Sequence, residues 1–178
     1  MPDILLLGDP RLRERSHEVE AFDPHAFREL AGTLDAFRKQ HGFGRAISAP
    51  QIGIAQRFIA VNLGRGPFFV VNPIVTWRSD ATFTMWDDCM SFPDLLVRVS
   101  RFRSLSLRYL DEHGEAKEWP ELDPAASELL QHEIDHLDGV LAVDRAMDGR
   151  ALAMRGEYLR NRAYFDAQVD YAIVPTIG

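Results

Sequence analysis

The sequence predicts an α+β fold. Two segments with apolar residues at helical spacing lie far apart in the chain, and a run of short strand-like segments fills the space between them. Strands gathered into one run and bracketed by helices, rather than alternating with them, argue against βαβ units and a parallel sheet. Size supports one body: 178 residues, 46% apolar and 26% charged, with no internal repeat, low-complexity tract or linker, read as a single domain over 1–178. A chain of this length buries roughly 70% of the surface its unfolded form exposes, so it needs no disulfide staples.

Each element has its own signal. Asp23-Pro24 has the form of a helix N-cap followed by proline in the first turn. Phe27, Leu30, Ala31, Leu34 and Phe37 then recur at helical spacing, and Gly42 is placed to end the helix. Residues 42–53 carry three glycines and a proline and read as an ordered loop. Alternation and β-branched content predict strands at Phe58–Leu63, Phe68–Trp77, Ala81–Trp86, Leu95–Val99 and Leu105–Leu110. Asp111-Glu112-His113-Gly114 reads as a hairpin turn leading into Glu115–Trp119. A second helix is expected from Asp123-Pro124 to about Leu137, with Gly139 to stop it. A third, C-terminal helix is expected over about 150–167, with Leu152, Tyr158, Leu159 and Phe165 as its apolar side.

Charge narrows the partners. The formal net charge is −7, and an acidic surface repels phosphate backbones, so direct DNA binding by the whole body is not expected. Residues 145–162 are locally basic, with five arginines against Asp148 and Glu157. Cys89 is the only cysteine, which excludes an internal disulfide and points to a reducing compartment. The apolar run Ile4–Leu7 is too short for a signal segment, and nothing approaches the ~20 apolar residues of a membrane span. The expectation is a cytoplasmic protein that does not enter a membrane.

The strongest chemical signal is His132-Glu133-Ile134-Asp135-His136. On a helix, residues four apart share a face, so both imidazoles reach one metal ion, and Glu133 lies close by without being a ligand. A hydrolytic site of this kind uses three protein ligands and leaves a position for water. From the residues alone the third ligand is open: Glu157 lies downstream, and Cys89 offers a soft thiolate. The other four histidines, His17, His25, His41 and His113, are expected at the surface, and Trp77, Trp86 and Trp119 in packing.

Three segments in order carry a family resemblance. Residues 44–53, Gly-Arg-Ala-Ile-Ser-Ala-Pro-Gln-Ile-Gly, resemble the Gly-x-Gly-Leu-Ala-Ala-x-Gln loop of peptide deformylases. Residues 86–93, Trp-Asp-Asp-Cys-Met-Ser-Phe-Pro, resemble their Glu-Gly-Cys-Leu-Ser motif, and residues 131–139 their Gln-His-Glu-x-Asp-His-Leu motif. With the N-terminal stretch from Ile4 to Arg13, the resemblance covers about residues 4–146. It implies antiparallel sheets packed around a central helix that carries the two histidines.

The resemblance also implies a mechanism. Cys89, His132 and His136 would hold one divalent metal, Fe²⁺ by family habit, with Zn²⁺, Ni²⁺ or Co²⁺ also accepted by such a donor set. The substrate would be an N-formylated peptide, cleaved by water to formate and a free N-terminal amine. Gln51 and the backbone N–H of Met90 would stabilise the oxyanion, and Glu133 would move the proton. Gly44, Arg45, Ala46, Asp87, Glu128 and Leu129 would border the substrate. In some deformylases the C-terminal helix docks on the ribosome, and the basic stretch 145–162 allows such a contact here.

Four positions depart from the family pattern: Ala46 replaces a glycine, Ser48 an alanine, and Asp87-Asp88 a Glu-Gly pair. The aspartates would disfavour an apolar side chain, be solvated, or be paired with Arg45 or Arg98. These departures motivate a rival, a deformylase-like amidase with a different formylated substrate. Two further rivals are a zinc endopeptidase using Glu157 as third ligand and a non-catalytic metal-binding relic. The retained Glu133 argues against the relic, because that residue neither ligates the metal nor holds the fold.

Overall fold

A computed structural model describes residues 2–173. Asp23 caps the first helix, α1 (Pro24–His41), by accepting from the His25 N–H, and Gly42 ends it at φ 75°. The chain then forms a short strand β1 (Ala46–Ser48), a 3-10 turn (Ala49–Ile52) and β2 (Phe58–Asn62). Next come β3 (Pro67–Arg78), β4 (Thr82–Asp88), β5 (Leu95–Phe102), β6 (Leu105–Leu110) and β7 (Ala116–Trp119). Asp123 caps α2 (Pro124–Leu137), its side chain accepting from Ala126 N–H. Two antiparallel sheets result, one in the order β1-β2-β3-β6-β7 and the other β4-β5-β8, where β8 is Leu152–Met154.

Alternation along β2 explains how the layers stack. Phe58 and Ala60 point to one face and pack with Phe27, Leu30, Leu34 and Phe37 of α1. Ile59 and Val61 point to the other face and pack with Leu129, Leu130 and Leu137 of α2. On its other side α2 meets the second sheet: Gln131 exchanges two 2.9 Å hydrogen bonds with the Phe102 backbone of β5. Ten of the fourteen α2 residues are buried, so this helix is the centre of the molecule. The expected α+β architecture, antiparallel sheets around the His-bearing helix, is the one observed.

Three expectations are corrected. Trp77 on β3 is 48% exposed rather than packed. Residues 42–53 do not remain a loop throughout, because Ala46, Ile47 and Ser48 pair with Val61, Ala60 and Ile59. Three residues are too few to show a period, and a partner a dozen positions away supplies the hydrogen bonds. The single helix over about 150–167 is also absent. Leu152–Met154 pairs with the β5 edge, and only then do two short helices follow, α3 (Arg155–Arg160) and α4 (Arg162–Asp166), broken at Asn161. Edge pairing outcompetes the helix there, and Asn161 sits at φ −124°, outside helical space. Of the expected apolar side, Tyr158 and Phe165 pack on Trp86, while Leu152 and Leu159 are exposed.

The Asp111–Gly114 turn forms as expected, with the Asp111 carboxylate accepting from the His113 and Glu115 N–H groups. His17, His25, His41 and His113 are all exposed. Gly139 stops α2 at φ 73°, where a Cβ would lie 2.5 Å from the Arg13 carbonyl oxygen; only glycine fits this approach. No helix among the described residues is long and apolar enough to cross a membrane.

Candidate active site

The site forms where α2 crosses the end of β4 and the β1 turn. Helical spacing brings the His132 and His136 Nε2 atoms to 3.1 Å from each other. Cys89 follows β4 directly and heads a turn closed by Phe92 N–H on the Cys89 carbonyl, which turns its Sγ to 3.3 Å from His136 Nε2. One ligand atom from each of the three residues lies within 4.8 Å of the others, and all three residues are buried. Two ligands on a metal with bonds of about 2.0–2.3 Å sit about 3.4–3.6 Å apart in tetrahedral geometry. The separations here are close to that, and a thiolate with two imidazoles suits a divalent transition metal.

His132 is oriented for this role by its neighbours. Asp87 Oδ2 lies 2.9 Å from His132 Nδ1, which assigns that nitrogen as donor and leaves Nε2 to face the cysteine. Arg101 donates to the same Asp87 oxygen at 2.9 Å and to Asp135 at 2.6 Å. Burial opposes the Asp87 charge, yet His132 and Arg101 together hold its carboxyl well below the usual range. Burial pushes His136 well below the usual imidazole value, which favours a neutral ring.

Glu133 and Gln51 reach the same cavity. Glu133 is 3% exposed, and its Oε2 accepts from the Ser48 hydroxyl at 2.5 Å. Burial raises the Glu133 carboxyl above its ordinary value, against the opposing pull of the Ser48 bond. Gln51 is oriented at both ends: its carbonyl accepts from Ser48 N–H at 2.9 Å, and its NH₂ donates to Ser91 Oγ at 3.1 Å and faces Cys89 Sγ at 3.6 Å. That amide is a neutral donor group aimed at the triad.

The cavity beside the triad is bounded by Phe43, Gly44, Arg45 and Ala46 on one side and Asp87, Asp88 and Met90 on the other. Glu128 and Leu129 of α2 close its inner end, and Ile173 reaches it from the C-terminal segment. Gly44 adopts φ 116°, and a Cβ there would meet the Met90 methyl at 2.5 Å. All twelve residues picked from the sequence for the site therefore line this cavity or face the triad, with His136 behind His132.

The charged departures are not free. Asp87 is bound to His132 and Arg101, and Asp88 is paired with Arg155 at 2.8 Å. Neither expected arginine forms an ion pair with these aspartates, because Arg45 pairs with Glu128 at 2.5 Å and Arg98 with Asp148 at 2.9 Å, although Arg45 still feels the Asp88 charge. Glu128 is 1% exposed, not a solvent-facing helix residue, and burial pushes its carboxyl up to about 7 against the pull of Arg45. Glu157 lies on α3, ion-paired with Arg160 and outside the ligand cluster, which removes it as a third ligand.

Sequence reasoning missed Arg101, the Ser48 contact with Glu133, and Arg155. Arg101 had a readable signal: with Val97 and Val99 it occupies the alternate positions of β5 that are buried, and a cation on a buried face requires carboxylates. The other two depend on which distant segments meet.

Comparison with known proteins gives the family. A family model described as polypeptide deformylase matches residues 1–151. The peptide deformylase of Thermotoga maritima is 35% identical over 152 residues, covering 85% of this chain and 91% of the relative. The crystal structure of the peptide deformylase from Thermotoga maritima superposes with a TM-score of 0.76 at 34% identity, over 83% of this chain and 99% of the other. A Synechococcus elongatus peptide deformylase in complex with actinonin gives 0.74 at 27% identity, over 93% and 86%.

Proposed function

The chain belongs to the polypeptide deformylase family, and from that premise we propose how its own residues carry the reaction. The enzyme removes the N-formyl group from the N-terminal methionine of polypeptides: water adds to the formyl carbon, the C–N bond breaks, and formate and a free amine leave. We assign Cys89, His132 and His136 as the ligands of one divalent metal, which supplies Lewis acidity and makes water a nucleophile near neutral pH. Fe²⁺ is the assignment in the cell, with Zn²⁺, Ni²⁺ and Co²⁺ as substitutes of similar chemistry. A membrane-free, cytoplasmic setting belongs to the same reading, since a polypeptide carries its formyl group as it leaves synthesis.

Glu133 takes the proton from the attacking water and delivers it to the departing amine nitrogen. Its raised carboxyl, held at Oε2 by Ser48, suits a group that must both accept and release a proton. The Gln51 amide donates to the formyl oxygen as charge builds there, and the Met90 backbone N–H is the second donor in this assignment. A carboxylate at position 51 would repel that oxygen. Gly44, Arg45, Ala46, Asp87, Glu128 and Leu129 border the methionine side chain and its backbone. The pairing of Asp87 and Asp88 removes the charge-based motive for an altered substrate, because neither presents an uncompensated charge, and leaves Ala46 and Ser48 as the departures that the substrate comparison tests.

The carrying observation is the convergence of Cys89 Sγ and the two Nε2 atoms beside Glu133 and Gln51. A ribosome contact through the C-terminal segment draws less support: of the five arginines in the basic stretch, Arg145, Arg155, Arg160 and Arg162 are ion-paired within the chain, while Arg150 has no ion pair among the described residues. The test is formate release from a short formyl-Met peptide by protein purified without oxygen and loaded with Fe²⁺ or Ni²⁺. Glu133→Ala should abolish release while keeping stoichiometric metal, and Cys89→Ala should lose the metal. Full metal with no turnover of formyl-Met peptides would instead move the function to another formylated substrate.

A further inference from the structure

The mouth of the cavity is built from two rims that belong to different sheets. Phe43 and Gly44 lead into β1 of the five-stranded sheet, whereas Asp88 ends β4 of the three-stranded one. One side chain spans them. Arg155, the first residue of α3 and beyond the residues that the family model matches, places its guanidinium carbon 4.1 Å from the Phe43 ring centroid. The same guanidinium donates to Asp88 Oδ2 at 2.8 Å and to the Pro93 carbonyl at 2.6 Å. Its backbone N–H is fixed on the Asp94 carbonyl at 2.7 Å, so the stem is anchored beside the turn that carries Cys89. A cation held at once by a ring face, a carboxylate and a carbonyl has little freedom left.

The adjoining C-terminal segment reaches the same mouth. Tyr171 bridges Met85 of β4 and packs on Phe83 at 4.9 Å between ring centroids, and two residues later Ile173 lines the cavity. Asp88 is about one-quarter exposed, so an unpaired carboxylate there would project its field into the path of the peptide. That is a charge the catalytic step does not use.

We propose that Arg155 is a positioning and specificity-determining residue of the substrate cleft: it clamps the Phe43 rim to the Asp88 rim and cancels the Asp88 carboxylate. The peptide beyond the formylated methionine, a polypeptide of any sequence, then meets a mouth of fixed width in which the Asp88 charge is compensated. This rests on the deformylase reading of the site. The clamp accounts for the tolerance of an aspartate next to the metal-binding cysteine.

The experiment compares kcat/KM for formyl-Met-Lys-amide and formyl-Met-Asp-amide at low ionic strength, using Ni²⁺-loaded enzyme. The native enzyme should turn over both at similar rates. Arg155→Ala should shift the ratio about fivefold towards the lysyl substrate, mainly through KM, as expected for one unscreened, partly exposed charge. The shift should vanish when Asp88→Asn is added, and should collapse near 1 M salt. Arg155→Lys, which retains the cation, should stay near the native ratio. A purely structural Arg155 would lower both substrates equally and would not respond to Asp88→Asn; either result overturns the proposal. Turnover of neither substrate by the native enzyme would refute the deformylase reading itself, whereas turnover with an unshifted ratio in Arg155→Ala would refute the clamp alone.

Discussion

Removing Glu128 alone should damage the protein far more than removing Glu128 and Arg45 together. Arg45 is 8% exposed and Glu128 1%, and among the described residues the guanidinium donates to the Ala125 carbonyl, at 3.1 Å, and to the Glu128 carboxylate. Where Glu128 is ionised, above about pH 7, Glu128→Leu leaves that cation buried and unpaired, and arginine cannot shed its proton, so the cost there should be about 3–5 kcal/mol and should shrink as pH falls. In a protein of this size that lowers Tm by roughly 10 °C. Arg45→Met should cost less at pH 6 than at pH 8, because the stranded Glu128 can neutralise itself. With both replaced, stability should return to within about 1 kcal/mol of native or exceed it, since desolvating the pair costs more than its attraction returns.

The pH dependence carries its own sign. The Glu128 carboxyl lies at about 7 in the fold against 4.5 in the ordinary state. Between these values the folded chain holds a proton that the unfolded chain has released. Its contribution is therefore full below about pH 4.5 and lost as pH rises through 7, about 3 kcal/mol in all. Calorimetry of the metal-loaded single and double variants from pH 5 to 8 measures both effects. Additive single costs, or a native pH slope that survives in Glu128→Leu, would refute this reasoning.

Three more outcomes follow from the site and the fold. Asp87→Asn should weaken metal affinity by about 10–100-fold, read by competition with a chelator, because His132 loses the carboxylate that orients its ring. Gln51→Ala should lower kcat by about 10²–10³-fold with metal content unchanged, and Gln51→Glu should be no better, as only a neutral donor suits a developing oxyanion. Gly139→Ala should destabilise the fold by at least 1 kcal/mol in urea denaturation, combining a left-handed φ with a 2.5 Å approach to the Arg13 carbonyl.

Local chemistry carried much of this protein in its sequence. The Asp-Pro caps and glycine stops bounded α1 and α2, because capping needs only neighbouring residues. Four-residue spacing put both imidazoles on one face for the same reason, and the order of three motifs linked them to Cys89. What sequence could not show was which distant segments meet. The strands β1 and β8 exist only because β2 and β5 offer open edges. Arg45 finds Glu128 across 83 positions and Arg155 finds Asp88 across 67, and these pairings decide whether the cavity presents bare carboxylates or neutralised ones. Burial and charge pairing are properties of assembled layers, so the residues of the site were legible in the chain, while the field they share was set only when the two sheets closed on α2.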